Sequence, residues 1–153
     1  MVKFIICSDS DIHRNDIGKY KIDLLPLIVE LDGVEYRAYR DIDGEGFRKL
    51  LKSTKDFPKT ATVSSVEIAD KIRTHIENDD EVIMITMSSK GSGTYNSARL
   101  AKEHLEDEYK RELPISVVDS MNLVNEFLPM TKPEASVTAH SGMDFVGIAF
   151  AED

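Results

Sequence analysis

Apolar and polar positions alternate along this chain with two different periods. Short continuous apolar runs at 4–8, 82–87 and 115–119 predict buried strands. The segments between them carry apolar residues at helical spacing instead. Short apolar runs separated by helices are typical of a parallel sheet. We therefore expect an α/β fold, in which helices cover both faces of a parallel-rich sheet and a short β segment lies near the C-terminus.

Helical spacing is clearest at 14–19, at 43–52, after Ser64 and at 95–109. Ser64 and Glu67 have the spacing of a capping box, which satisfies N–H groups at a helix start. The helix that this box opens is predicted to point four apolar residues toward the core: Val66, Ile68, Ile72 and Ile76.

The run from Leu24 to Leu31 predicts a further strand that Pro26 interrupts. Because proline has no N–H to donate, it indicates an edge strand or a bend. Asp32 and Gly33 follow as a tight turn into the segment 34–37.

A loop of glycine and hydroxyl residues, running from Ser88 to Thr94, joins the strand at 82–87 to the helix at 95–109. N–H groups at a helix start lack intrahelical partners and lie at the positive end of the helix dipole, so this loop favours a carboxylate or phosphate. Neither G-x-G-x-x-G nor G-x-x-x-x-G-K-[ST] occurs, which excludes those nucleotide motifs. Glycine and serine also end strands for structural reasons alone, so a loop without a ligand is the alternative.

Polar residues also follow the other strands, as Ser8-Asp9-Ser10 and Asp119-Ser120, and hydroxyl residues of 59–65 precede a helix. Ligands of open α/β sheets bind beyond the carboxyl ends of the strands. A rim of neutral donors with few cations suits one carboxylate better than a polyphosphate. Asp9 is interpreted as an acceptor for backbone N–H groups, and the alternative is a cation cluster with Asp11, Asp41 and Asp43.

Length, composition and charge argue against several classes of protein. A chain of 153 residues, 41% hydrophobic, predicts one soluble domain, and a net charge of -9 argues against nucleic acid and anionic membrane surfaces. No apolar run approaches the roughly 20 residues that span a bilayer, and the start lacks a signal peptide, so we expect a cytoplasmic protein. Cys7, the only cysteine, is interpreted as a core thiol, with a reactive thiol as the alternative. No spacing predicts a metal or cofactor.

Five motifs follow one another along the chain: Ser8-Asp9-Ser10, Leu25-Pro26-Leu27 before Asp32-Gly33, Pro58-Lys59-Thr60, Ser88-Ser89-x-x-Ser92-Gly93-Thr94-Tyr95, and Val117-Val118-Asp119-Ser120. In this order they resemble the motifs of the DegV family, the bacterial fatty-acid-binding proteins that present an acyl chain to a fatty acid kinase. The resemblance runs from about Lys3 to Ser120. It implies a ligand carboxylate held by a threonine loop and a serine-glycine loop, with the acyl chain in a tunnel between two domains.

Carried over to matching positions, the resemblance indicates Thr60 and Ser92 as carboxylate ligands. His140 matches the family histidine that also reaches the carboxylate. The implied ligand is a fatty acid, the implied partner is a fatty acid kinase subunit, and the implied protein carries out no chemistry of its own. The neighbouring site positions are Thr62, Ser88, Gly93 and Asn96.

Two departures from the family pattern stand out. Thr60-Ala61-Thr62-Val63-Ser64 replaces the usual threonine-serine-glutamine-proline-serine, and the chain has about half the family length. We expect 1–120 to form a first domain and 121–153 to be a truncated remnant of the second, ending in its closing strand. The apolar surface exposed by such a loss would favour a homodimer.

Two other functions stay open. The shortened domain, natural or engineered, could fold and bind nothing. Alternatively, it could be an enzyme related to phosphotransferases, for which His140 is the one candidate catalytic histidine. A triad of Ser92, His140 and Asp119 is disfavoured because the chain has no G-x-S-x-G elbow.

Overall fold

The computed structural model describes residues 1–10, 12 and 14–121 of the chain. The strands are β1 (Val2–Cys7), β2 (Asp23–Leu25), β3 (Ile28–Leu31), β4 (Val34–Arg37), β5 (Lys59–Ala61), β6 (Glu81–Thr86) and β7 (Ile115–Asp119). The helices are α1 (Arg14–Tyr20), α2 (Gly44–Leu51), α3 (Ser65–Ile76) and α4 (Thr94–Tyr109), and a single 3₁₀ turn covers Ser8–Ser10. The expected remnant at 121–153, its β segment and His140 lie outside the described residues, apart from Met121.

The predicted parallel sheet is confirmed and has the strand order β2-β1-β6-β7. One face of it packs against α3 and α4 around fully buried residues such as Ile5, Met84, Ile72 and Leu105. Burying each of these side chains contributes about 1.5–3 kcal/mol relative to leaving it exposed. This cluster is the main core of the protein.

The opposite face of the same sheet carries the alternate positions of each strand. Ile6 packs there with Ile12 and Ile22, and Ile17 of α1 covers them. Helices therefore cover both faces, as predicted. Phe4 and Val118, at alternate positions on this face, are 39% and 37% exposed.

A second sheet, antiparallel and of three strands in the order β4-β3-β5, was not predicted. The expected single strand from Leu24 to Leu31 is wrong, because β2 joins the parallel sheet and β3 joins this one. The chain changes sheets at Pro26, which has no N–H for a ladder. At the next residue, the Leu27 N–H donates to the buried Ser8 Oγ at 2.8 Å.

The Asp32–Gly33 turn is confirmed as the link between β3 and β4. Both residues have positive φ, 50° and 78°, which is the geometry of a two-residue hairpin loop. Asp32 Oδ1 also accepts the N–H groups of Lys55 and Asp56, at 3.1 Å each, and so ties the loop before β5 to the hairpin.

Only one of the two hydrogen bonds of the predicted capping box forms at α3. Ser64 Oγ accepts the Glu67 N–H at 3.2 Å, but the Glu67 carboxylate pairs with Arg37 at 2.5 Å instead of returning to Ser64. Ile68, Ile72 and Ile76 point inward as predicted. The prediction for Val66 is wrong: it is 67% exposed, because only the other three lie on the stripe that faces the sheet.

Candidate functional site

The carboxyl ends of the parallel strands lie at one edge of the sheet. Ile6 pairs with Ile85, and Ile85 pairs with Val118, so the chain leaves β1, β6 and β7 at neighbouring positions. Ser8–Ser10, the loop from Ser88 to Gly93, and Ser120 therefore lie side by side. This is where ligands of open α/β sheets bind.

The loop after β6 is held in shape by Ser88. Its side chain is buried and its Oγ accepts the Lys90 N–H at 3.3 Å. Its carbonyl oxygen accepts the N–H groups of Gly91 and Ser92 at 2.9 and 3.0 Å. Ser88, predicted as a neighbour of the ligand, thus has a structural role inside the loop.

Ser92 organises the start of α4. Its Oγ accepts the Thr94 N–H at 3.2 Å and lies 2.9 Å from Thr94 Oγ1. Gly93, at the N-cap, provides no side-chain cap, and the first turn of α4 carries no acidic residue. The positive end of a 16-residue helix is therefore free of a built-in anion.

Asp119, at the end of β7, fixes the far side of the loop. Its carboxylate accepts the Ser89 N–H at 3.2 Å and the Met121 N–H at 2.9 Å. Hydrogen bonds from the Ser89 side chain and the Met121 N–H hold the pKa of Asp119 below its usual range, so it is ionised at neutral pH.

Thr62 and Gly93 bring the two predicted ligand loops together. A β-carbon built on Gly93 would lie 3.5 Å from Thr62 Oγ1 and 3.8 Å from Thr62 Cγ2, so the threonine packs directly on the glycine. Val63, which follows Thr62, and Ala98 of α4 are fully buried in the main core. We call this place, where the start of α3 meets the start of α4, the Thr62–Gly93 junction.

Three predicted ligand positions remain: Thr60, Asn96 and His140. Thr60 is exposed on the edge strand β5, opposite Val29 and two residues before Thr62. Asn96 is exposed in the first turn of α4. His140 lies beyond the described residues.

Asp9 is the residue whose environment the sequence did not reveal. It is only 8% exposed, and its Oδ1 has no hydrogen-bond partner among the described residues. Burial raises the pKa of Asp9, and contact with the Cys7 thiol lowers it in part. The Cys7 thiol is buried and its pKa is raised well above the ordinary value, chiefly by that burial, which agrees with an inert core thiol.

The alternative cation cluster finds no support in the described part of the chain. Asp43 caps α2 by accepting the Gly46 N–H at 2.8 Å, and Asp41 accepts the Arg37 N–H at 2.8 Å. Within the described ranges, no group of three histidine, cysteine or acidic side chains could hold a metal ion. Across the same ranges, every helix is too short or too polar to cross a bilayer.

Comparison with known proteins identifies relatives along most of the chain. A DegV domain-containing protein of Clostridium acetobutylicum is 33% identical over 124 residues, which is 81% of this chain and 43% of that protein. Another, from Caldanaerobacter subterraneus, is 33% identical over 154 residues, covering 98% of this chain and 53% of the relative. A protein of Thermotoga maritima named as a fatty acid-binding protein is 33% identical over 123 residues, 78% of this chain and 41% of that one.

Solved structures agree with the fold. A stearic acid-binding protein of Eubacterium ventriosum has a TM-score of 0.73 and 32% identity, over 81% of this chain and 43% of that one. A DegV family protein of Thermus thermophilus, described by its fatty acid binding, has a TM-score of 0.65 and 30% identity, over 81% and 42%. The chain therefore spans about half the length, or less, of the relatives it matches.

A family model described as "Uncharacterised protein, DegV family" matches residues 1–149. That match includes both loops of the Thr62–Gly93 junction and the strand ends around it. The chain belongs to the DegV family.

Proposed function

We propose that this chain binds the carboxylate of a long-chain fatty acid at the Thr62–Gly93 junction. The observation that carries the proposal is the contact between the two loops, since Thr62 Oγ1 lies 3.5 Å from a β-carbon built on Gly93. The relatives from Thermotoga maritima and Eubacterium ventriosum, named for fatty acid and stearic acid binding, support it.

The donors at the junction suit one carboxylate. A serine hydroxyl has one proton to donate and two lone pairs, so Ser92 can accept the Thr94 N–H while it donates to a ligand oxygen. Thr62 and Asn96 are exposed, and they add a hydroxyl and an amide at the positive end of α4. Thr60, also exposed, offers a further hydroxyl on β5, two residues before Thr62. Each charge-assisted hydrogen bond of this kind contributes about 1.5–3 kcal/mol.

Most of the affinity for a fatty acid would come from the acyl chain. Burying one methylene contributes about 0.8 kcal/mol, so the tunnel wall decides how tightly a long chain binds. We propose that 1–120 form the head-group domain and that 121–153, with His140, contribute a remnant of the second wall. If half of the wall is lost, binding weakens by an amount on the order of 5 kcal/mol relative to a full tunnel.

We assign no catalytic step to the chain, and we propose that any phosphoryl transfer to the ligand belongs to a separate fatty acid kinase subunit. A second copy of the chain is the proposed replacement for the lost wall. We propose that the chain works in the cytoplasm, because a fatty acid kinase needs nucleotide. The buried thiol of Cys7 also stays reduced in that compartment.

Native mass spectrometry of the chain with added palmitate or oleate tests the proposal. The wild type should show a stoichiometric fatty acid adduct, and the same spectrum reports one chain or two. Thr62→Val, which keeps the shape but removes the hydroxyl, should weaken the adduct about tenfold, as should Ser92→Ala. Thr74→Val is the matched control, because its exposed hydroxyl donates only to the Lys71 carbonyl on α3.

An adduct that persists equally in Thr62→Val, Ser92→Ala and the double variant would refute the junction as the head-group site. A wild type that stays empty at saturating palmitate and oleate would refute fatty acid binding itself and favour the domain that folds without a ligand.

A further inference from the structure

A buried carboxyl oxygen without a partner lies at the edge of the sheet where the ligand is proposed to bind. Asp9 is 8% exposed, and Oδ1 has no hydrogen-bond partner among the described residues. Buried polar atoms are nearly always paired, and leaving one unpaired costs about 1–3 kcal/mol. The serines on either side do not relieve it: Ser8 Oγ accepts the Leu27 N–H, and Ser10 Oγ is also buried without a partner.

The side chain of Asp9 lies on the α3 and α4 side of the sheet. Its carboxyl contacts the thiol of Cys7, and Cys7 packs in the main core with Val63 and Ala98. Val63 follows Thr62, and Ala98 lies in the second turn of α4, next to the Thr62–Gly93 junction. Asp9 thus follows β1 at the same edge of the sheet as the loop that leads from β6 to the Thr62–Gly93 junction.

Two acids at this edge have opposite environments. Asp119 accepts N–H groups from Ser89 and Met121, and these hydrogen bonds keep it ionised. Asp9, by contrast, is buried, and this burial raises its pKa and favours the protonated form. Two acids whose pKa values are shifted in opposite directions at one edge of the sheet are suited to different roles.

No described cation is positioned to neutralise Asp9. Lys90, in the loop after β6, is exposed and lies near Asp119. On α3, Glu67 is paired with Arg37, and the first turn of α4 carries no acid. On β1 the remaining titratable neighbour is the Cys7 thiol, which keeps its proton.

We propose that Asp9 contacts the ligand in its protonated form and donates that proton in a hydrogen bond to the ligand carboxylate. The inference rests on the fatty acid function proposed above. Asp9 carries the proton on one carboxyl oxygen, the ligand oxygen accepts it, and no bond other than the hydrogen bond forms or breaks. At a pH where Asp9 is ionised in the free protein, binding of a ligand carboxylate is therefore accompanied by uptake of one proton from solvent, which Asp9 carries. Two like charges at hydrogen-bond distance cannot both stay ionised.

Proton uptake measured by titration calorimetry tests this inference. Decanoate is titrated into the protein between pH 6.5 and 8.5, where its own carboxyl group is ionised, in two buffers of different ionisation enthalpy. Wild type should take up close to one proton per decanoate at the upper end of this range. Its affinity should fall about tenfold per pH unit there, because one proton is linked to binding.

Two Asp9 variants separate donation from packing. Asp9→Asn keeps a neutral donor, so it should bind with a pH-independent affinity and no proton uptake. Asp9→Ala lacks the donor and should bind about tenfold more weakly than Asp9→Asn. Asp41→Asn is the control, since Asp41 is exposed and bonded to Arg37 and Arg40 near α2; it should keep the wild-type proton uptake.

Proton uptake that is zero in wild type, or unchanged in Asp9→Asn, would overturn the role of Asp9 while leaving carboxylate binding intact. Equal affinity in Asp9→Ala and Asp9→Asn would also overturn it. Absence of binding of decanoate and of oleate, in wild type and Asp9→Asn alike, would overturn both this inference and the proposed function.

Discussion

Replacing Ser8 by alanine removes one hydrogen bond at the place where the chain crosses from the parallel to the antiparallel sheet. Ser8 is fully buried, and its Oγ accepts the Leu27 N–H at 2.8 Å. Leu27 is itself 9% exposed, and its carbonyl oxygen accepts the Ala38 N–H at 2.9 Å. The substitution therefore leaves a buried backbone N–H without an acceptor in the middle of this crossing.

The expected cost follows from that orphaned donor. An unpaired buried N–H costs about 1–3 kcal/mol, whereas loss of the serine oxygen itself removes almost no apolar contact. For a chain of this size, 1 kcal/mol changes Tm by about 2–4 °C, so Ser8→Ala should lower Tm by about 2–12 °C. Urea unfolding followed by far-ultraviolet circular dichroism should show the same loss at an unchanged m-value.

Ser10→Ala is the matched control, because it makes the same chemical change two residues away in the same 3₁₀ turn. Ser10 Oγ is buried without a partner among the described residues, so its removal should leave the free energy of unfolding unchanged or slightly raise it. The reasoning is wrong if Ser8→Ala is neutral, or if both variants lose stability equally.

Three further variants test the core, the turn and the buried acid. Ile72→Ala should cost about 2–5 kcal/mol in a urea titration because Ile72 is fully buried, whereas Val66→Ala on the same helix should change stability by less than about 0.5 kcal/mol; equal effects would contradict the assigned helix face. Gly33→Ala should cost about 1–2 kcal/mol in thermal melts, since φ is 78° and a β-carbon there meets no atom within 4 Å, so that only backbone strain acts. Burial raises the pKa of Asp9, so the folded chain keeps a proton that the unfolded chain has lost, and stability falls as pH rises from about 4 through the folded-state pKa. Asp9→Asn should therefore raise Tm at pH 7 and change it little at pH 4, and a pH-independent effect would reject this linkage.

The parallel sheet could be predicted because its strands are continuous apolar runs. Of the antiparallel sheet, only the Asp32–Gly33 turn between β3 and β4 could be predicted. Strand β5 of this sheet has three residues, Lys59–Ala61, all exposed, and its pairing partner β3 is distant in sequence. Pairing of this kind depends on tertiary contacts that no local periodicity encodes. Pro26 indicated a break in its strand, but not that the two halves join different sheets.

For the candidate site, hydroxyl and glycine residues at strand ends indicated the two loops, and the structure places Thr62 against Gly93. The structural roles of Ser88 and Ser92 could not be predicted, since their hydrogen bonds depend on the folded shape of the loop. The burial of Asp9 could not be predicted either, because an acidic residue between two serines is typical of an exposed turn.

The antiparallel sheet also bears on the order in which the chain folds. Its three strands come from one continuous stretch, 28–61, inserted between β2 and α3. The β1–β6 ladder, by contrast, must bring Val2 to Glu81. Strands close in sequence pair early, because only a small loop must close. Strands far apart in sequence pair later, because closing the longer loop costs more entropy. Once the hairpin of β3 and β4 has formed and β5 has joined it, a shorter effective loop separates β1 from β6. We therefore expect amide protons of the β3–β4 hairpin to gain protection before those of β1 during refolding.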